Sequence, residues 1–176
     1  MSSTGSFQYW QRSMVHSGPG TVVRIPGLFA NMGAKRVLLI SDAGIASAGL
    51  LDRVADLFSE SPAKGGPQIV ATYAAVAPDA EAASVDEALA IARQYAVDSI
   101  LAVGGGSVQD AAKLIKIALH RKCMSVMELL RPLVRFIDWP QAQPTQIPHV
   151  SVPTTAGTGA ELTQAAVIYN QALGVK

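Results

Sequence analysis

Cysteine is almost missing from this sequence, since Cys123 is the only one in 176 residues. A single thiol excludes a disulfide within the chain and a zinc site built from cysteines. The sequence also lacks any apolar stretch of about 18 residues, the length that a membrane-spanning helix needs. The segment Met1–Ser17 has no apolar run typical of a signal peptide, so we expect a cytoplasmic protein without a membrane partner.

Charged and aromatic residues are scarce as well. Charged residues make up 15% of the chain and aromatic residues 6%, whereas hydrophobic residues reach 49%. This composition is typical of a globular protein with a well-buried core and excludes a disordered chain. The net charge is +1, and no cluster of Lys and Arg is long enough to follow the phosphates of a nucleic acid. We therefore expect no nucleic-acid partner.

Short apolar runs alternate with segments of helical spacing along most of the chain. The predicted strands are Thr21–Ile25, Val37–Ile40, Ile69–Tyr73, Ser99–Val103 and Val150–Val152. The predicted helices are Ile45–Ser59, a segment following Asp79, and Val108–His120. Alternation of this kind predicts βαβ units. The fold class is therefore α/β, with a Rossmann-like, mostly parallel sheet and helices on both faces.

The alternation stops in the last third of the chain. Between Arg121 and Pro148, a helix over Met124–Phe136, interrupted at Pro132, is followed by a surface loop. After the last buried strand, residues 165–169 are predicted to be extended. We expect them to pair as a hairpin with residues 174–176.

Three glycines and a serine, Gly104-Gly105-Gly106-Ser107, lie between a predicted strand and a predicted helix. Glycine lets the backbone approach a ligand closely. The start of the helix offers unpaired N–H groups and the positive end of its dipole to an anion. This cluster is therefore a candidate for binding a pyrophosphate, although a tight turn without a ligand fits it equally well.

An acidic residue, Asp42, follows the predicted strand Val37–Ile40. Open α/β sheets bind their ligands at this end of a strand. The usual dinucleotide fingerprint has its acidic residue after the glycines, whereas Asp42 precedes them. A carboxylate here can accept hydrogen bonds from the hydroxyls of an adenosine ribose and would repel a 2′-phosphate. The alternative, an N-cap for the next helix, is equally compatible with the sequence.

Hydroxyl-bearing residues are concentrated in the loop Pro153–Glu161. Thr154, Thr155 and Thr158 accompany Gly157 directly after a predicted strand. This density of small polar groups beside a buried strand favours a polar ligand over a merely flexible turn.

Both loops resemble motifs of one family. Residues 104–113, GGGSVQDAAK, are similar to the GGGS-x-x-D-x-x-K element of the iron-containing (metal-dependent, group III) alcohol dehydrogenases. Residues 153–163, PTTAGTGAELT, match the PTTAGTGSE-x-T element of that family almost letter for letter. Residues 33–42 resemble its first strand and turn. The resemblance implies the N-terminal domain of a dehydroquinate-synthase-like fold, with a loose N-terminus over residues 1–20 and a dinucleotide-binding domain over residues 21–176.

The resemblance also implies NAD, rather than NADP, as the cofactor. In the family the glycine turn holds the pyrophosphate, and the aspartate that follows this turn, here Asp110, lies near the nicotinamide. We expect Lys113 to pair with Asp110, because the two residues are one helical turn apart. The cofactor-binding residues implied in this way are Asp42, Gly104, Gly105, Gly106, Ser107, Asp110, Thr154, Thr155, Gly157, Thr158, Thr163, Ala165 and Lys176.

The activity implied by the resemblance is interconversion of an alcohol with an aldehyde or ketone by metal-assisted hydride transfer. In the family, one Asp and three His of a second, helical domain bind the divalent metal, iron or zinc. The histidines of this chain, His16, His120 and His149, match none of those ligands. We therefore expect the metal-binding domain to be absent, with no metal site and no identifiable catalytic residue in this chain.

Two departures and several alternatives accompany the resemblance. Pro78-Asp79-Ala80 stands where the family often has Pro-Asn-Pro, and Ala160 replaces the typical Ser. The chain could instead be a non-catalytic nucleotide-binding fragment or pseudoenzyme. It could also be a relative of glycerol dehydrogenases, sugar-phosphate cyclases or maleylacetate reductases, although the TTAGTG stretch favours the alcohol dehydrogenases. The expected partners are a small-molecule alcohol or aldehyde and further copies of the chain in a homo-oligomer.

Overall fold

The computed structural model describes residues 13–59, 65–129, 146–163, 165–171 and 174. Four parallel strands in this part of the chain form one sheet, in the order β2-β1-β3-β4. They are β1 (Arg36–Ile40), β2 (Gln68–Tyr73), β3 (Ser99–Gly104) and β4 (His149–Pro153). The chain runs outward from β1 to β2 and then returns to β3 on the other side of β1. The prediction of a mostly parallel α/β sheet is confirmed.

Helices cover both faces of the sheet, as predicted. They are α1 (Ile25–Asn31), α2 (Ala43–Ser47), α3 (Leu50–Ser59), α4 (Ala82–Gln94) and α5 (Gly106–Arg121). The odd-numbered residues 37, 39, 101 and 103 of β1 and β3 share an apolar cluster with residues of α1 and α3. The even-numbered residues 38, 40, 100 and 102 pack with α4 and α5. Because side chains alternate along a strand, the continuous apolar runs fill two cores.

The predicted strand Thr21–Ile25 is wrong. Thr21–Arg24 forms a 3-10 helix, and Ile25 is the first residue of α1. Pro26 stands at the beginning of α1, where its fixed φ and missing N–H suit the start of a helix. Ile25 and Phe29 are both buried on the same side of α1 because they lie four residues apart.

The predicted helix Ile45–Ser59 is two helices, α2 and α3. Gly49 separates them with φ of +69°, a left-handed conformation that commonly terminates a helix. Of the predicted helix Met124–Phe136, Val126–Leu129 forms a 3-10 helix, and residues 130–145 lie outside the described residues.

Only part of the predicted hairpin near the end of the chain lies within the described residues. Tyr169 forms a single parallel bridge with Glu81, and residues 175–176 lie outside the described residues. None of the helices in the described ranges is long and apolar enough to cross a membrane.

Candidate cofactor site

An open cleft of about 480 Å³ lies at the carboxyl ends of β1 and β3. The order of the strands reverses between these two strands, and open α/β sheets bind ligands at such a point. One wall of the cleft is formed by residues 76–78, which follow β2. Five of the residues implied by the family motifs line the cleft together: Asp42, Gly105, Gly106, Ser107 and Thr155.

Asp42 occupies the N-cap of α2 and also faces the cleft. Its Oδ1 accepts a hydrogen bond of 3.0 Å from the Ile45 N–H, so the N-cap interpretation is confirmed. Its Oδ2 has no hydrogen-bond partner among the described residues. The cap fixes the direction of the carboxylate and leaves one oxygen for a ligand, so the two interpretations of Asp42 are compatible.

Ser41, a residue to which the sequence analysis gave no role, holds Asp42 in place. Its side chain is fully buried, and its Oγ donates to the carbonyl of Val103 in β3. Its backbone N–H donates to the Tyr73 carbonyl at 2.8 Å, and its carbonyl accepts from Val76 at 3.1 Å. Ser41 therefore ties the ends of three strands together beneath the cleft. A serine between a buried strand and an N-cap residue is the only sequence signal for this role.

The glycines at positions 105 and 106 let two loops approach each other. A Cβ on Gly105 would lie 2.9 Å from the Thr155 Oγ1, and one on Gly106 would lie 3.4 Å from the Thr158 Cγ2. Cβ atoms essentially never come as close as the first of these distances. The glycine turn (residues 104–107) and the threonine loop (residues 153–161) are therefore packed against each other, as is expected of two segments that belong to one site.

Gly104 differs from the two glycines that follow it, because it is buried behind the cleft. A Cβ on Gly104 would lie 2.5 Å from the Val108 Cγ2. Its carbonyl accepts hydrogen bonds from the Thr154 N–H and from the Gln109 Nε2, each at 3.1 Å. The close packing of strand and helix is a structural reason for this glycine, and its contact with a cofactor stays a prediction.

Gln109 is a second residue to which the sequence analysis assigned no role. It is 1% exposed, and through the Gly104 carbonyl it links the start of α5 to the threonine loop. Its Oε1 is buried without a hydrogen-bond partner. A glutamine among the apolar positions of the inner face of α5 was the available signal.

The N-terminus of α5 points at the cleft without a side-chain cap. Gly105 is the N-cap residue, with extended φ and ψ of −76° and −169°. Since glycine has no side chain to accept them, the first N–H groups of this 16-residue helix are available to an anion. Gly105, Gly106 and Ser107 of this helix start line the cleft.

Ser107 joins the helix start to the opposite wall of the cleft. Its Oγ accepts a hydrogen bond of 2.9 Å from the Asp79 N–H, in the turn where the family often has Pro-Asn-Pro. Asp79 has φ of +59°, a left-handed conformation that Asn and Asp tolerate better than most residues. Asp in place of Asn therefore preserves the backbone of this turn.

The implied residues Asp110, Thr163 and Ala165 form a separate cluster beside α5. The Asp110 Oδ1 lies 2.8 Å from the Lys113 Nζ, which confirms the predicted ion pair. The Lys113 ammonium also donates to the Thr163 Oγ1 at 3.3 Å and to the Ala165 carbonyl. None of these residues lines the cleft.

The remaining implied residues belong to the threonine loop or lie beyond it. Thr154, Gly157 and Thr158 are exposed, and Gly157 has φ of +93°. Lys176 lies outside the described residues. Among the residues that the structure describes, no three His, Cys, Asp or Glu side chains are grouped so that they could hold a metal ion.

Comparison with protein families gives one clear match. The model described as iron-containing alcohol dehydrogenase matches residues 13–176. The long-chain-alcohol dehydrogenase 1 of Geobacillus thermodenitrificans is 31% identical over 154 residues, which are 87% of this chain and 36% of that protein. The NAD-dependent methanol dehydrogenase of Bacillus methanolicus is 30% identical over 164 residues, 90% of this chain and 38% of that protein.

Solved structures agree with the architecture. The NADH-dependent butanol dehydrogenase A of Thermotoga maritima has a TM-score of 0.78 at 28% identity, covering 96% of this chain and 39% of that one. The sulfoacetaldehyde reductase of Bifidobacterium kashiwanohense, solved with NAD⁺, also has a TM-score of 0.78, covering 97% of this chain and 42% of that one. At 24% identity, the second likeness shows the fold alone. The chain therefore spans about two fifths of the length of these relatives.

Proposed function

The chain belongs to the iron-containing alcohol dehydrogenase family, and we propose that it forms the NAD-binding part of an enzyme that interconverts an alcohol with an aldehyde or ketone. The observation that carries the proposal is the cleft, where Asp42, the uncapped start of α5 and Thr155 meet. NAD, when bound, supplies the hydride acceptor, while the protein positions it. The substrate is a small molecule, as the family implies.

We assign the parts of the cofactor to the two walls of the cleft. The pyrophosphate lies on Gly105, Gly106 and the first N–H groups of α5, which face the cleft. The adenosine ribose lies toward Asp42, whose Oδ2 accepts from its hydroxyls. Thr155 and its loop bound the opposite side, toward the nicotinamide. The other implied residues of the threonine loop, Thr154, Gly157 and Thr158, are proposed to line the groove, and Lys176 to reach the cofactor from beyond the described residues.

The metal of the family is not assigned to this chain. No group of His, Cys, Asp or Glu side chains that could hold iron or zinc exists in the described ranges. We propose that these ligands, together with most of the substrate pocket, belong to the length of the relatives that this chain does not span. A cytoplasmic location and a homo-oligomeric assembly are further parts of this proposal; Val167 and Leu162 offer exposed apolar surface for such an assembly.

A titration with NAD and NADP tests the proposal, using Asp42→Ser. Serine keeps an N-cap acceptor for the Ile45 N–H but removes the negative charge. We expect the unchanged chain to prefer NAD, and Asp42→Ser to lose this preference by about tenfold, since a charged hydrogen bond and a repulsion are removed together. Isothermal titration calorimetry measures both affinities.

The control separates selectivity from folding. Asp42→Ala removes the cap as well as the charge, so it should show the same selectivity with lower thermal stability. Saturable binding of NAD without any change of preference in either variant would remove Asp42 from the site. No binding of either nucleotide by the unchanged chain would overturn the proposal and would also count against the alternative of a non-catalytic nucleotide-binding fragment.

A further inference from the structure

An extended segment, residues 165–169, lies along the first half of α5 and is named the strap here. Its Ala166 and Ile168 side chains pack into the apolar core beneath α4 and α5. Its alternate residues are tethered through their backbone groups: Ala165 and Val167 to side chains of α5, and Tyr169 to the turn after β2. The strap therefore joins the helix of the cofactor site to the turn that forms one wall of the cleft.

The tethers on α5 come from the Asp110–Lys113 pair. The Asp110 Oδ2 accepts a hydrogen bond of 3.1 Å from the Val167 N–H, while Oδ1 holds Lys113. The Lys113 ammonium donates to the Ala165 carbonyl and to Thr163. These two side chains thus provide an acceptor and a donor to the strap, as the backbone of a neighbouring strand would.

The pair is engaged within the protein and away from the cleft. Each oxygen of Asp110 accepts one hydrogen bond from within the protein, and the three N–H bonds of Lys113 are matched by Asp110, Thr163 and Ala165. The two side chains are only 14% and 12% exposed, and neither lines the cleft. A charged pair this well shielded is also weakly screened by salt.

The other end of the strap reaches the cofactor site through the turn at residues 78–80. The Tyr169 N–H donates to the Asp79 carbonyl at 3.1 Å, and the Tyr169 carbonyl accepts from Ala82 at 3.0 Å. The Asp79 N–H in turn donates to the Ser107 Oγ in the cleft. An unbroken series of contacts therefore runs from Asp110 and Lys113 to the hydroxyl of Ser107.

We propose that Asp110 and Lys113 are positioning residues for NAD, which act by clamping the strap and not by touching the cofactor. The clamp, which is the Asp110–Lys113 pair, holds the strap, and the strap in turn holds the turn at Asp79. The Asp79 N–H then orients the Ser107 hydroxyl so that the hydrogen of this hydroxyl is directed to the pyrophosphate. This inference rests on the proposed binding of NAD. It revises the direct contact of Asp110 with the nicotinamide end that the family resemblance implies.

The test measures the strap and the cofactor separately in Asp110→Asn, Lys113→Met and the double variant. Amide hydrogen exchange at Val167 and Tyr169, without cofactor, reports on the strap, and fluorescence titration reports the Kd of NADH. We expect each single variant to accelerate exchange and to weaken NADH binding by about tenfold, the effect of a lost charge-assisted hydrogen bond. The double variant should be no weaker than either single variant, because both break one clamp.

Two controls accompany these variants. Lys116→Met removes a lysine one turn further along α5 and should change neither measurement. Lys113→Arg keeps the charge and should retain most of the protection and the affinity. This variant also keeps the test interpretable if Lys113→Met fails to fold.

Two results would overturn the inference. If Asp110→Asn weakens NADH binding while exchange at Val167 stays slow, Asp110 touches the cofactor directly. If exchange accelerates while the Kd of NADH is unchanged, the strap has no influence on the cofactor. Failure of the unchanged chain to bind NADH would instead contradict the proposed function, and exchange in the free protein would still test the clamp.

Discussion

Strands β3 and β4 lie side by side and each leads into a loop of the cleft, but they are buried to very different degrees. All six residues of β3 are buried, whereas the first four residues of β4 are half-buried and Pro153 is exposed. In the described sheet, β3 lies between β1 and β4, while β4 has a neighbour on one side only. The same difference continues into the loops, since Gly105, Gly106 and Ser107 are half-buried and Thr154–Thr158 are exposed.

The difference indicates how each loop gets its shape. The glycine turn is fixed from behind by Val108 and Gln109, so the core determines its conformation before a cofactor arrives. The threonine loop depends on a few contacts with its neighbours, among them the bond from the Thr154 N–H to the Gly104 carbonyl. The glycine turn is therefore a preformed part of the cleft, whereas the threonine loop is held in place by its contacts with neighbouring residues.

The most damaging change on the β3 side should be Gly104→Ala. Its new Cβ would lie within 2.5 Å of the Val108 Cγ2, inside a packed core that has no room to adjust. We expect the free energy of unfolding to fall by about 3 kcal/mol, as is typical of overpacking. Urea denaturation followed by circular dichroism measures this loss.

Gly27→Ala is the matched control for that prediction. Gly27 lies within α1, and a Cβ there would meet nothing within 4 Å. Alanine in a helix should raise the stability by up to about 1 kcal/mol. Equal stability of Gly104→Ala and the unchanged chain would mean that β3 does not fix the turn.

Strand β3 and the glycine turn were more predictable from sequence than strand β4 and the threonine loop. A continuous apolar run before Gly104, a glycine cluster and a helical spacing after it specify β3, the turn and α5 by local rules. Asp42 was predictable for a related reason, because an acidic residue at the end of a buried strand suits both an N-cap and a ligand site. The N-cap is confirmed and Asp42 also lines the cleft, while its contact with a cofactor stays a prediction.

What sequence could not reveal depends on contacts between distant residues. Ser41 and Val103 are 62 residues apart, so no local pattern indicates that a serine links their strands. The tethers of the strap join residues 52 and 57 positions apart in the same way. The wrong strand at Thr21–Ile25 has a related cause, because alternation over five residues also fits a helix start, and burial of Phe29 decides between them.

On the β4 side, we predict that the free energy of unfolding depends on pH through the protonation of His149. Burial, with smaller contributions from Lys116 and Lys113, lowers the pKa of His149 to about 3, from the ordinary value of 6.5. Below pH 6.5 the unfolded chain therefore binds a proton that the folded chain refuses until about pH 3. The free energy of unfolding therefore falls as the pH drops from 6.5 to about 3, by at most about 1.4 kcal/mol per pH unit.

The measurement is the free energy of unfolding of the unchanged chain and of His149→Gln between pH 7 and pH 4. Glutamine carries no charge in this range, so the variant should lose stability less steeply on acidification. His120→Gln, at the exposed end of α5, removes an imidazole from outside the sheet and provides the comparison. Parallel curves for the unchanged chain and His149→Gln would show that β4 does not exclude the proton.

The smallest expected effect is at the contact between the two loops. Gly105→Ala would bring a Cβ to 2.9 Å from the Thr155 Oγ1, but Thr155 is exposed and its loop can move. Since the loop yields where the core would not, we expect little change in stability and a loss of NAD affinity of about fivefold, about 1 kcal/mol. Calorimetric titration with NAD measures the loss.

Two further variants determine whether the loss arises at that contact. Gly105→Ala combined with Thr155→Ala removes the Oγ1 that the new methyl group meets, so part of the affinity should return. Gly106→Ala meets the Thr158 Cγ2 at 3.4 Å, an ordinary contact distance, and should weaken binding less. If Gly105→Ala instead unfolds the chain as readily as Gly104→Ala, the threonine loop is as rigid as the glycine turn, and the contrast between the two walls disappears.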